Sequence, residues 1–346
     1  MSRILITGGA GFIGSNLADR LGAEGCEVTV LDTLARPGVE TNLEWLQARH
    51  RARLRHLAAD VRDAAAVEAA VEESDVVFHL AGQVAVTTSM ADPRSDFDVN
   101  LGGTLNVLEA ARRRSVPVIY ASTNKVYGDL ADLDLSLQDG AWKPADPHVL
   151  RSGVGENRPL NFHTPYGCSK GGADQYVLDY ARSFDLPACV LRMSCIYGPR
   201  QMGTEDQGWV AHFLIRALEQ GPITLYGDGR QVRDILHVAD AVEAYVAAWR
   251  RIGTVGGRAF NLGGGPDNAV SLNGLIAYME DLVGSPVQVR REDWRAGDQR
   301  YFVADAREAR RALGLGEPRP WRQGVAELSE WLKAERRPRA RFGTAA

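Results

Sequence analysis

Cysteine is scarce in this sequence: Cys26, Cys168, Cys189 and Cys195 are the four among 346 residues. They form no C-x-x-C and no paired spacing, so they read as reduced thiols of a cytosolic protein rather than a disulfide framework. Long apolar runs are missing too. None approaches the ~18 residues that span a bilayer, and the first residues lack the charged and apolar regions of a signal peptide. Positive charge is not in excess, since 40 Lys and Arg stand against 44 Asp and Glu for a net −4. That balance gives no electrostatic case for a nucleic-acid partner. The one arginine-rich stretch, Arg336-Arg-Pro-Arg-Ala-Arg341, reads as a solvated tail, with about the last eight residues disordered. No internal repeat and no low-complexity linker interrupts the chain. The expectation is a cytoplasmic protein of one large or two medium domains, with no metal site and no membrane partner.

Through the first half, short apolar runs alternate with helical patterns. Runs rich in Val, Ile and Leu at 3–7, 27–31, 54–58, 76–80, 116–122 and 187–192 read as strands. Between them, 11–24, 64–70, 100–113 and 169–183 read as helices. Nearly continuous apolar strands separated by helices imply βαβ units in a parallel sheet covered on both faces. The expected fold class is therefore α/β, a doubly wound sheet with its ligand crevice at the carboxyl ends of the strands. After Gly198 the pattern loosens, with helices expected at 209–219, 240–250, 271–283, 304–313 and 321–335, and strands from 223 and at 258–262. This divides the chain into a first domain over 1–195 and a smaller mixed α/β domain over 196–346, with 258–262 returning to the first sheet.

Gly8-Gly-Ala-Gly11-Phe12-Ile13-Gly14 follows the first strand and opens the first helix. Glycines there permit a tight turn and the close approach of a pyrophosphate to a helix N-terminus. Asp32 ends the second strand, where a carboxylate can bond ribose hydroxyls and repel a 2′-phosphate, favouring NAD over NADP. Asp60 and Val61 follow the third strand and would border the adenine. Leu80-Ala81-Gly82-Gln83 follows the fourth, its small residues suited to a backbone pressed against a dinucleotide. Asn100 opens a helix, either as an N-cap or as a cofactor contact.

Tyr166 and Lys170 are four apart, on one face of a helix. An ammonium beside a phenol favours the phenolate and brings a group of ordinary pKa ~10 toward the range of a working base. Thr123, in Ala121-Ser-Thr123-Asn-Lys-Val-Tyr127 at the end of the fifth strand, faces the same crevice. Its hydroxyl can relay a proton toward Tyr166.

In order along the chain, these features resemble the extended short-chain dehydrogenase/reductase family, its nucleotide-sugar epimerases and dehydratases in particular. The likeness includes the GxxGxxG turn, Thr123 and the Tyr-x-x-x-Lys pair. It extends to Arg192-Met-Ser-Cys-Ile-Tyr-Gly-Pro-Arg200, to Arg230-Gln-Val-Arg233-Asp-Ile-Leu-His-Val-Ala-Asp240 and to Arg295-Ala-Gly-Asp298-Gln-Arg. The resemblance implies a Rossmann-type NAD domain, a nucleotide-sugar substrate and a homodimer built on helices 100–113 and 169–183, with Tyr176 and Tyr180 exposed. It implies that Thr123, Tyr166 and Lys170 are catalytic and that Lys170 also bonds the nicotinamide ribose. Arg233 and Arg295 would hold the diphosphate, and Asp298 the nucleoside ribose.

Members of that family oxidise a sugar hydroxyl and then diverge. The 4,6-dehydratases carry Asp-Glu directly after the catalytic Thr, whereas Asn124 and Lys125 stand here, which disfavours loss of water. The segments around Thr123, Tyr166 and Gly203-Thr-Glu-Asp-Gln-Gly-Trp209 look most like members that invert C2 of a CDP-sugar. Cys195 stands where many relatives place a sugar-contacting Asn, and a thiol is a weak donor, so a different sugar orientation is expected. His163 would contact the pyranose or cap the helix. Asn124 and Gln201 would contact the sugar, and Trp209 would line either the base pocket or the core. The alternatives are a 4-epimerase of a UDP- or dTDP-hexose, a 4,6-dehydratase, and a non-catalytic NAD sensor. The intact trio argues against the sensor.

Overall fold

The computed structural model describes residues 1–336; the expected disorder of about the last eight residues lies outside them. The first domain is a parallel sheet of β1 (Arg3–Thr7), β2 (Glu27–Leu31), β3 (Leu54–Leu57), β4 (Val76–His79) and β5 (Val118–Thr123). After a two-stranded hairpin of β6 (Leu135–Gln138) and β7 (Ala141–Pro144), β8 (Ala188–Met193) joins that sheet, followed by short β9 (Cys195–Tyr197). The second region holds β10 (Ile223–Tyr226), β11 (Val232–His237), β13 (Ala269–Ser271), β14 (Val289–Glu292) and β15 (Tyr301–Phe302). Between β11 and β13, β12 (Ala259–Leu262) leaves it to pair in parallel with β8. The large sheet runs in the order β12-β8-β5-β4-β1-β2-β3, all parallel, and the chain order of its strands reverses between β1 and β4. In a doubly wound sheet that switch point is where a ligand crevice opens.

Side chains alternate across a strand, and here both alternations are apolar. Ile4 and Ile6 face one layer, with Leu17, Leu21, Leu43, Leu46 and Tyr245 from the covering helices. Leu5 faces the other, with Val67, Val107, Val177 and Tyr180. Each such side chain, fully buried, contributes roughly 1.5–3 kcal/mol of transfer free energy. A separate core around Phe213, Leu214, Leu275, Met279 and Leu328 holds the second region together.

Several elements differ from the sequence reading. The segment 39–50 carried no expectation and is the helix Val39–His50, burying Val39, Leu43 and Leu46 on one stripe. The hairpin also went unread, although Asp139-Gly140 at its tip is a strong signal for a two-residue turn. Both residues have positive φ, 51° and 76°, as the turn matching a hairpin's twist requires. Residues 304–306 are not helical; Ala304 bridges Val154 and the helix begins at Arg307. Tyr180, expected to be exposed, is buried against Glu109, while Tyr176 is 46% exposed.

The helix Thr164–Ser183 is fastened to the sheet by a buried ion pair. The Asp174 carboxylate receives Arg192 Nη2 at 2.8 Å and Nε at 2.9 Å, and the Ser122 hydroxyl donates to it at 2.7 Å. Asp174 is fully buried and Arg192 nearly so. Deleting one partner strands the other charge, so Asp174→Ala is expected to cost about 3–5 kcal/mol in urea denaturation. Asp75→Ala, breaking an exposed pair with Arg3, should leave the midpoint unmoved.

Candidate active site

Gly8 has φ 69°, and a Cβ there would lie 2.7 Å from the Ala81 nitrogen, so β1 and β4 close on each other at this glycine. A Cβ on Gly14 would lie 2.3 Å from the Gly8 carbonyl. Gly11 is open apart from that same carbonyl at 3.1 Å. It N-caps the helix Phe12–Ala23 without any side-chain cap, and the first turn, with Phe12 and Ile13, holds no acidic residue. Uncapped N–H groups beside open space form a site that a pyrophosphate fits. Asp32 lies just beyond β2. The Ala10 nitrogen donates to one of its oxygens at 3.0 Å and the Leu34 nitrogen to the other at 2.9 Å. The carboxylate is thus aimed while keeping a lone pair on each oxygen for ribose hydroxyls. These residues fit a bound NAD.

The neighbouring positions are more occupied. Both Asp60 oxygens are engaged by Arg62, which holds the carboxyl below its ordinary range. Val61 is buried beneath Gly103. Leu80 and Ala81 line the crevice opposite Gly8. The Gln83 amide donates to the Ala85 carbonyl and Asp96, each at 2.8 Å. Asn100 does not open a helix: it sits inside the wide turn Asp98–Gly102 of a continuing helical run. Its amide accepts from Gln83 N at 2.8 Å and donates to Ser169 Oγ at 3.0 Å. Asn100 therefore braces the loop after β4 against the Tyr166 helix.

That helix begins at Thr164, five residues before the expected start, because Pro165 occupies its first turn. Thr164 has φ 63°, a conformation a β-branched residue holds at a cost of about 1–3 kcal/mol. The Tyr166 hydroxyl lies close enough to Thr123 for that hydroxyl to lower its pKa, and its backbone nitrogen donates to Ser89 Oγ at 3.1 Å. Lys170 Nζ donates to the Ala121 carbonyl at 2.6 Å and lies 4.3 Å from the Tyr120 ring centroid. The expected depression of Tyr166 is reversed here. Burial pushes its hydroxyl up to about 12 against the lowering influence of the Thr123 hydroxyl. The Lys170 ammonium is turned toward Ala121 and Tyr120, and burial pushes it down to about 7 against the pull of Asp174 and Asp96.

Beyond Thr123 the crevice meets the second region. Thr123 caps the short turn Asn124–Tyr127, taking Lys125 N at 3.2 Å. Asn124 Nδ2 donates to Gln299 at 3.4 Å. Arg233 Nη2 donates to Asp298 Oδ1 at 2.6 Å, so the two residues expected on diphosphate and ribose meet each other. The Trp209 indole donates to Cys195 Sγ at 3.3 Å, making the thiol an acceptor. Arg295 stacks 3.8 Å from the Tyr226 ring centroid and pairs with Asp206 at 3.3 Å. The Gln201 amide donates to the Ile196 carbonyl at 3.2 Å, leaving its buried oxygen unpartnered. His163 precedes the helix but does not cap it with its side chain; the ring turns to Asp129 at 3.3 Å. Ser89, Lys125 and Tyr226 join these groups without having been singled out as contacts. Lys125 was visible two residues from Thr123, whereas no local pattern marks Ser89.

The fold and site define a dinucleotide-dependent enzyme of the Tyr-x-x-x-Lys kind. Matching the NAD dependent epimerase/dehydratase family over residues 4–263, the chain belongs to that family. A CDP-paratose 2-epimerase from Salmonella typhi is 41% identical over 341 residues, covering 96% of this chain and 99% of that protein. A UDP-glucose 4-epimerase from Mycolicibacterium smegmatis is 34% identical, covering 96% and 98%. The Thermus thermophilus UDP-glucose 4-epimerase, solved with NAD, superposes with a TM-score of 0.81 at 31% identity, covering 96% and 99%. Among the described residues no helix is long and apolar enough to cross a membrane, and no cluster of three metal-ligating side chains occurs.

Lys170 yields a signed prediction. Its amine falls from an ordinary 10.5 to about 7 on folding, so between those values the unfolded chain binds a proton that the folded one lacks. Stability conferred by this site therefore rises with pH through that window, by up to about 1.4 kcal/mol per unit. Urea midpoints of NAD-stripped protein should show the rise, and Lys170→Met should abolish it.

Proposed function

We propose that this protein is an NAD-dependent epimerase of a nucleotide-activated sugar, inverting C2 of a CDP-sugar in the manner of CDP-paratose to CDP-tyvelose. The observation that carries the reading is the closeness of Tyr166 to the Thr123 hydroxyl, on a helix whose Lys170 ammonium lies beside Gly82, next to the Leu80–Ala81 segment packed on Gly8. Thr123 is followed by Asn124 and Lys125, which offer no carboxyl acid for dehydration. The similarity to the Salmonella enzyme supports C2 and CDP.

In its ionised form Tyr166 takes the proton of the reacting hydroxyl, with the Thr123 hydroxyl beside it as the relay; Lys170, one turn along and bonded to the Ala121 carbonyl, would bond the nicotinamide ribose. An NAD with its pyrophosphate in the glycine cradle would supply the hydride acceptor and later the donor. Arg233 and Arg295 hold the diphosphate while the keto-sugar presents its other face, and Tyr166 then returns the proton. Leu105 and Tyr176, both exposed on neighbouring helices, support a homodimer through Gly103–Arg112 and Thr164–Ser183. The four free cysteines suit a cytoplasmic setting.

NMR of the products formed from CDP-paratose and from CDP-glucose in deuterated water tests the reaction. Inversion at C2 without solvent deuterium on that carbon is expected; inversion at C4 would instead select the 4-epimerase reading, and water loss from CDP-glucose the dehydratase. Tyr166→Phe should lower kcat by roughly 10²- to 10⁴-fold with NAD affinity retained. Unaltered turnover would remove the mechanism.

A further inference from the structure

Lys125 takes no part in the mechanism above, yet its ammonium sits in the crevice between Thr123 and Arg233. Nζ donates to the Gly297 carbonyl at 3.0 Å and lies 3.8 Å from Asp298 Oδ1. An ammonium has three donors, and this is the one hydrogen bond it makes among the described residues. Asp298 Oδ1 is already held by Arg233 at 2.6 Å, so two cations share one carboxylate oxygen.

The other carboxylates nearby are committed. Asp129, whose field reaches Lys125, pairs with His163. Asp234, buried behind Cys195, accepts from Ser194 and from Gly265 N. Cys195 adds no charge, because burial pushes its thiol up. At Asp298 two cations thus share one carboxylate oxygen, in a place where partial burial already opposes the Lys125 ammonium. A half-buried cation that shares its counter-ion is costly, and an anionic ligand relieves the cost.

The position of Lys125 says which part of that anion it meets. Lys125 is the first cation after Thr123, in the turn that Thr123 caps, and its ammonium shares an Asp298 oxygen with Arg233, the residue expected on the diphosphate. With the reacting sugar at Thr123 and Tyr166, the first cation falls beside the phosphate that carries the sugar.

We propose that Lys125 is a substrate-binding residue, its ammonium contacting the sugar-bearing phosphate of the nucleoside diphosphate and fixing the pivot about which the keto-sugar turns. This rests on the nucleotide-sugar reading. The link to Gly297 also ties the loop before Gln299 to the catalytic strand, so the test must separate phosphate contact from loop support.

Calorimetric titration of NAD-loaded full-length protein with cytidine, CMP and CDP does so, because CMP lacks the second phosphate. Lys125→Met is expected to raise the CDP dissociation constant roughly 10- to 100-fold while moving CMP and cytidine by less than about threefold. Lys125→Arg, keeping the charge, should recover most of the loss. Unchanged CDP affinity in Lys125→Met, or equal weakening of CMP and CDP, overturns the proposal. Should Lys125→Met fail to load NAD, Lys125→Gln carries the same comparison. Wild-type protein that binds none of CDP, UDP, dTDP and GDP would bring down the nucleotide-sugar reading as well; binding by wild type with no loss in the variant would bring down the Lys125 assignment alone.

Discussion

The Asp174–Arg192 pair sets the rotation of the helix Thr164–Ser183 about its own axis. Three charge-assisted or hydroxyl donors converge on one carboxylate with no water to compete. Once that carboxylate is seated, Lys170, one turn earlier, meets the Ala121 carbonyl, and Tyr166, two turns earlier, meets Thr123. A helix held by apolar contacts alone could slide among equivalent packings. A buried charge pair with specific donors cannot, and this register is what a proton-transfer site needs.

Around that fixed helix, the remaining groups divide between holding and receiving. Asn100, Ser169, Asp96 and Gln83 bond mostly one another and hold the loop after β4. Gly11, Asp32 and the first turn of the helix Phe12–Ala23 keep bonding capacity in reserve toward the crevice. On the far side, Asn124, Lys125 and Gly128 meet residues 297–299. The loop of residues 297–299 is thereby joined to the turn that follows Thr123, so the two sides of the crevice share one set of contacts.

Much of this was legible in the sequence wherever chemistry is local. The Gly8–Gly14 turn and Asp32 follow from what a strand–turn–helix must do, and the parallel sheet from its doubly apolar strands. What escaped depends on packing. The pKa of Tyr166 is decided by how completely it is buried, not by the lysine four residues on. His163 does not cap its helix as one of its two expected roles required; its ring turns instead to Asp129, remote in sequence. Asn100 looked like a helix opener because the preceding short helices Val86–Ala91 and Pro93–Phe97 had no strong period of their own. The Asp139-Gly140 turn was readable and was passed over.

The strand β12 has a consequence for how the chain is made. It is the outermost strand of the large sheet, yet it is synthesised after β9, β10 and β11 of the second region. A ribosome that has released everything up to Met193 has delivered a sheet whose β8 edge is bare, with its backbone donors and acceptors unpaired. That edge stays exposed until Leu262 emerges, and the intervening residues must fold back across it rather than away. The nascent protein is therefore most exposed to edge-to-edge association midway through translation, and a cut between the two regions would leave neither with its full complement of strands.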